Sequence, residues 1–179
     1  MEPTITLHDK TFAVNIREEQ IQQSVIELAK RLDADLEGQT PLFVGVLNGS
    51  FMFLADLMKH VTIPCEISFV KLASYEGTSS TGMIKQLVGL NENIKDRTVV
   101  IVEDIVDTGN TIEHLQQSLR TQLPKTIKVA TLLFKPEAYT KDIPVDYVAL
   151  SVPNDFLVGY GLDYDGLGRN LKHIYKITE

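Results

Sequence analysis

The chain has 179 residues, 44% of them apolar and 23% charged, with a net charge of −7. That balance belongs to a globular chain rather than a disordered one, and a chain this long buries about two-thirds of its unfolded surface without needing staples. The acidic balance argues against a general nucleic-acid binder, the lone Cys65 excludes an internal disulfide, and no apolar run approaches a membrane span.

The first ten residues lack the basic-then-apolar pattern of a signal peptide, so a cytoplasmic protein with no membrane contact is expected. Ile21, Val25, Leu28, Ala29 and Leu32 recur at spacings of three and four, which predicts an amphipathic helix between Glu18 and Leu36. Gly38 to Pro41 breaks it. Leu42 to Leu47 reads as a buried strand, Asn48-Gly49-Ser50 follows, and Phe51 to Lys59 has a helical pattern. Cys65 opens the next apolar stretch, Ile67 to Leu72, and is expected to be a small buried residue. Ser74 to Gly82 is small, polar and aperiodic, hence a mobile loop, and Ile84 to Leu90 reads as a strand returning from it.

Thr98 to Val106 is the strongest strand signal, a β-branched run suited to the centre of a parallel sheet covered on both faces. A helix from about Ile112 to Gln122 follows, ended near Pro124. Ile127 to Phe134 and Val145 to Val152 read as two more strands. The alternation predicts an α/β domain with a mostly parallel central sheet flanked by helices. In such sheets ligands bind at the carboxyl ends of the strands. Three loops leave expected strand ends there: Asn48 to Ser50, Asp107 to Thr111, and Lys135 to Pro136. After Pro153 the chain becomes turn-rich, with aromatic and acidic groups among its glycines.

The segment Val100 to Thr111, VIVEDIVDTGNT, carries the chemistry. A strand delivers two adjacent carboxylates, Glu103 and Asp104, and Asp107 then opens a short loop ahead of a helix. Gly109 allows close backbone approach, the helix N-terminus offers free N–H groups, and Thr108 and Thr111 add hydroxyls. A phosphate monoester fits such a place. The carboxylates suit sugar hydroxyls or a hydrated Mg²⁺. The blander reading makes Asp107 a helix cap and Glu103 and Asp104 solvated charges. The glycine spacing and the missing lysine distinguish the segment from the phosphate loop of nucleotide triphosphatases.

The segment closely resembles the phosphoribosyl pyrophosphate (PRPP) motif of type I phosphoribosyltransferases. Val44 to Leu57, Ser74 to Gly82, Leu132 to Ala138 and Val152 to Tyr175 extend the resemblance to the hypoxanthine-guanine members, over about Ile16 to Ile177. The resemblance implies transfer of phosphoribose from PRPP to a 6-oxopurine, with Mg²⁺, in purine salvage. It implies that Glu103 and Asp104 bind the ribose hydroxyls and Mg²⁺. Asp107 would be the general acid or base at purine N7, and Asp107, Thr108, Gly109, Asn110 and Thr111 would hold the 5′-phosphate. Leu47, Asn48, Gly49 and Arg169 would contact pyrophosphate, while Ser74 and Tyr75 close over the site. Lys135 would donate to O6 of the base and Phe156 would stack on it. Leu157 and Asp163 would meet the base edge through their backbones, and Asp163 would hold a second Mg²⁺.

It also implies a small hood of about residues 1–15 and 151–179 over a core of about 39–150, all within one domain, and a homodimer or homotetramer. Two positions depart from the family pattern. Asn48 replaces a frequent lysine, which predicts weaker pyrophosphate binding or altered oligomer contacts rather than loss of activity, and Asn110 stands at a variable position. The four histidines form no ligand spacing. The rival readings are a xanthine-preferring enzyme and a non-catalytic regulator that senses PRPP or nucleotides.

Overall fold

The structure is a computed structural model and describes residues 4–74 and 84–178. In chain order its elements are β1 (Thr4–Leu7), β2 (Lys10–Ile16), α1 (Glu18–Asp35), β3 (Leu42–Leu47), α2 (Phe51–Met58), β4 (Glu66–Ser74) and β5 (Ile84–Val88). They continue with β6 (Thr98–Val106), α3 (Asn110–Arg120), β7 (Thr126–Phe134), β8 (Tyr147–Ser151), β9 (Leu157–Val158) and β10 (Ile174–Ile177).

The larger sheet has the order β5-β4-β3-β6-β7-β8, parallel from β4 to β8 with β5 antiparallel at one edge. Its central strands are apolar on both sides because both faces are covered. Leu42, Val44, Val99 and Ile101 alternate onto one face and pack with Leu115 and Leu119 of α3. Phe43, Val100 and Val102 alternate onto the other, against Leu28 and Leu32 of α1 and Phe53 and Leu57 of α2. The parallel arrangement sends the carboxyl ends of β3, β6 and β7 to one edge, where the loops 48–50, 107–111 and 135–136 begin.

The second sheet has the order β1-β2-β10-β9, all antiparallel, and joins residues 4–16 to the tail. Phe12, Val14, Val158 and Tyr175 form its own small core. The two sheets are tied at several points. One is the start of α1, where the backbone N–H of Glu18 donates to Nδ1 of His173 at 2.9 Å. A side chain distant in sequence thus satisfies one of the free N–H groups of that helix end.

The sequence reading differs from the structure in several places. Helix α3 begins at Asn110, two residues early, because Gly109 at φ +88° serves as its N-cap and Asn110 and Thr111 already belong to its first turn. The tail contributes strands to a sheet where only turns were expected. Helix α1, which lies ahead of residue 39, packs into the core of the larger sheet. Cys65 is only partly buried, at the rim of that core, and burial pushes its thiol pKa up.

Candidate active site

The loop after β6 has a geometry suited to an anion. No side chain among the described residues caps α3, so its first N–H groups face a cavity of about 80 Å³. Glu103 and residues 105 to 112 line that cavity. The turn after β7 packs behind the loop. Thr140 donates to the carbonyl of Thr108 through both N–H (3.3 Å) and Oγ1 (3.2 Å). A Cβ on Gly109 would come within 2.5 Å of the Tyr139 ring and 2.7 Å of Lys141, so nothing larger than glycine fits. Asp107 does not cap the helix. Its carboxylate faces Lys135, whose Nζ lies 3.2 Å from Oδ2. Lys135 directly follows β7 and is only 7% exposed, while the Asp107 side chain is 47% exposed. A buried ammonium thus points at the mouth of the cradle.

Glu103 and Asp104 stand at the end of β6. Burial, with the neighbouring Asp104 charge adding to it, pushes the Glu103 carboxyl well above the usual range. Burial also raises Asp104, to about 6. Backbone N–H bonds and the Arg169 charge oppose that rise, and Asp163 adds to it. Adjacent acids, Glu103 buried and Asp104 partly so, favour a bound cation or hydroxyl donors.

Gly49 lies directly against Asp104. A Cβ there would overlap the Asp104 carboxylate. The turn between β3 and α2 keeps Asn48 exposed and buries Gly49 and Ser50, and the Leu47–Asn48 peptide is cis. Among the described residues, the buried Ser50 hydroxyl has no partner. Gly161, at φ +100°, brings the tail onto this turn, and a Cβ there would overlap the Gly49 carbonyl. Arg169 braces the same point: Nη1 donates to the Gly161 carbonyl at 2.7 Å and Nη2 pairs with Asp163 at 2.7 Å. Asp163 also accepts from the Gly166 N–H at 2.7 Å.

The structure therefore brings Glu103, Asp104, Gly49, Asp163 and Arg169 into electrostatic or steric contact, and Asp107 to Thr111 into one loop with Lys135. It does not gather three metal-ligating side chains at one point among the described residues. Phe156 is 46% exposed and meets Tyr164 edge to face at 5.8 Å. Leu157 is buried and paired with Lys176 in the small sheet. Ser74 ends β4, and Tyr75 lies outside the described residues. Sequence reasoning missed Gly161, Tyr160 and Tyr164. Gly159-Tyr160-Gly161 was the visible signal, since a glycine on each side of an aromatic marks a close backbone approach.

A family model described as phosphoribosyl transferase domain matches residues 15–165. The hypoxanthine-guanine phosphoribosyltransferases of Streptococcus agalactiae and Streptococcus mutans are 44% and 43% identical over 163 residues, 90% of this chain and 91% of theirs. The crystal structure of the hypoxanthine-guanine phosphoribosyltransferase of Bacillus anthracis, with HEPES in its active site, has a TM-score of 0.87 and 39% identity. It covers 92% of this chain and 98% of that one. The hypoxanthine phosphoribosyltransferase of Staphylococcus aureus gives 0.87 at 38% identity, over 92% of this chain and 90% of its own. The chain belongs to the hypoxanthine-guanine phosphoribosyltransferase family.

Proposed function

We propose that the enzyme transfers the 5-phosphoribosyl group of PRPP to N9 of hypoxanthine or guanine, releasing pyrophosphate and the purine nucleoside 5′-monophosphate, as a step of purine salvage. The observation that carries this reading is the pairing of buried Lys135 with Asp107 at the mouth of an uncapped anion loop. The loop from Asp107 to Thr111 holds the 5′-phosphate with backbone N–H groups and the Thr108 and Thr111 hydroxyls. Glu103 and Asp104 accept from the ribose hydroxyls. Lys135 donates to O6 of the base, which an adenine amino group cannot accept. Phe156 stacks on the purine, and the backbones of Leu157 and Asp163 hold its edge.

N9 then bonds to the ribosyl carbon as the bond to pyrophosphate breaks, and Asp107 takes the proton from N7. Arg169 and the turn from Leu47 to Gly49 receive the pyrophosphate. Ser74 and Tyr75 belong to a lid that keeps water from the activated ribosyl carbon. Mg²⁺ fits the donors present: it takes one or two carboxylates and completes its shell with water and substrate oxygens. Glu103 and Asp104 would hold it beside the ribose, with Asp163 serving a second ion. When bound, it neutralises the pyrophosphate leaving group.

The four-stranded sheet is read as a hood, about residues 1–15 and 151–179, over a core of about 39–150. The enzyme is read as cytoplasmic, in keeping with the finding that no helix among the described residues is long and apolar enough to cross a membrane. A homodimer or homotetramer is inferred from three exposed side chains, Phe51 of α2 and Ile67 and Phe69 of β4 (43%, 46% and 40% exposed). A second copy covers them, and light scattering of the purified protein tests this.

The activity is tested by following nucleotide formation from PRPP and Mg²⁺ with hypoxanthine, guanine, xanthine and adenine. Turnover of the first two, abolished by EDTA and absent with adenine, is expected. Tight PRPP binding without turnover of any base would overturn the enzyme assignment in favour of a regulator.

A further inference from the structure

The turn between β1 and β2 places three consecutive residues against the loop 163–168. His8 adopts φ +52°, in the left-handed region that L-residues rarely enter. Its Nε2 lies 3.2 Å from the Asp165 carbonyl oxygen, and its ring meets Tyr164 at 5.7 Å. Asp9 Oδ1 accepts from the Tyr164 hydroxyl at 2.7 Å. Leu7 borders Gly168, where an added Cβ would come within 3.0 Å of it.

Tyr164 is the residue through which this grip reaches the site. Its ring stands at 84° to Phe156, 5.8 Å between centres, and 5.9 Å from the fully buried Phe12, which itself lies 6.4 Å from Phe156. The Tyr164–Phe156 contact is edge to face and the two Phe12 contacts are tilted, and aromatic contacts at such distances are attractive and orient the rings. Phe156 is therefore fixed from two sides while almost half of it stays open. The Asp9 side chain is 70% exposed. A polar contact so exposed adds little to folding stability. Its consequence is orientation: it holds the hydroxyl end of a ring already packed against Phe12 and Phe156, and a ring so placed loses less freedom when a ligand stacks beside it.

We propose that Asp9 and Tyr164 are positioning residues for the purine, holding Phe156 in its stacking orientation from the N-terminal hairpin. This rests on the reading of Phe156 as the base-stacking ring, and Tyr164 carries it because its ring is the only described bridge between Asp9 and Phe156. The hydrogen bond from Tyr164 holds the Asp9 carboxyl below its usual range.

The test is steady-state kinetics of Asp9→Ala, Asp9→Asn, Tyr164→Phe and Phe156→Leu, with hypoxanthine varied at saturating PRPP and then the reverse. Asp9→Ala and Tyr164→Phe should each raise the KM for hypoxanthine about three- to tenfold, the range of one hydrogen bond, with the KM for PRPP and kcat unchanged. Their double variant should be no worse than either alone, and Asp9→Asn, whose amide oxygen still accepts, should restore most of the affinity. In the Phe156→Leu background neither should have a further effect. Unchanged hypoxanthine KM in both single variants, or equal rises for both substrates, would overturn the proposal. Phe156→Leu separates the two readings: if it leaves the hypoxanthine KM unaltered, the stacking role itself falls. If it raises that KM while Asp9→Ala and Tyr164→Phe do not, only the positioning role falls.

Discussion

At Gly49 one added methyl group overlaps the carboxylate of Asp104, a residue 55 positions away. The backbone of the β3–α2 turn and the acidic end of β6 are therefore in direct contact, and Gly49→Ala must displace one of them. A displacement of that order in the proposed pyrophosphate site should cost on the order of 100-fold in kcat/KM for PRPP, measurable with hypoxanthine saturating. Lys135→Met gives a second residue-scale expectation. It leaves Asp107 without its cation and removes the proposed donor to O6, and kcat/KM for hypoxanthine should fall about 10- to 100-fold, as when a charge-assisted hydrogen bond is lost. A defect confined to PRPP, seen as a rise in its KM alone, would contradict it. The two residues differ in how readable they were. Lys135 closes a buried strand beside a proline, and a lysine so placed must reach an acceptor. Glu103 to Thr111 are contiguous, so the cradle was legible as a unit. The contact of Gly49 with Asp104 has no local pattern, because it arises only when β3 and β6 pair in register.

Between elements, one tie of the tail to the core runs through a partly buried acid. Asp56 of α2 accepts from Tyr160 Oη at 2.5 Å, Gln22 Nε2 of α1 at 2.8 Å and Lys59 Nζ at 2.6 Å. Tyr160 is 2% exposed and adopts φ +50°, and the next residue is the Gly161 that touches Gly49. Burial and the Asp56 charge push the Tyr160 hydroxyl pKa up, so it donates at any accessible pH. Burial also opposes the charge on Asp56, but the bonds from Lys59, Tyr160 and Gln22 outweigh it and hold the carboxyl below its usual range. Asp56→Asn should lower stability by about 1.5–3 kcal/mol at neutral pH, read by urea unfolding. Because the folded pKa lies below the unfolded one, the stability from Asp56 is complete above the ordinary aspartate value of about 4 and is lost as pH falls through the folded value. The gap between wild type and Asp56→Asn should therefore close in acid and stay constant above about pH 5. A gap that widens in acid would refute the assignment. The strands of the parallel sheet were legible as continuous apolar runs and its helices by their three-and-four spacing, each a local pattern. The small sheet was not: β9 has two residues and β10 has four, β9 pairs only with β10, and β10 finds its other partner some 160 residues away in β2.

For the whole molecule, the proposed ligand bridges both sheets. The cradle, Glu103 and Asp104 belong to the parallel sheet, whereas Arg169, Asp163 and Phe156 belong to the tail. The sheets are joined by Tyr160 to Asp56, Gly161 to Gly49 and His173 to Glu18. Such ties predict one cooperative thermal transition rather than two. PRPP with Mg²⁺ binds only the folded chain, so at about 100 times its Kd it should add about 2.7 kcal/mol. For a chain of this size that raises Tm by about 5–10 °C. EDTA should cancel the rise, since the acids at Glu103 and Asp104 would then face PRPP without a cation. Differential scanning calorimetry decides between the outcomes. A rise that survives EDTA would place PRPP on the N–H cradle alone. A second transition, with only one of the two moved by PRPP, would mean that the sheets melt separately and that the ligand touches one of them.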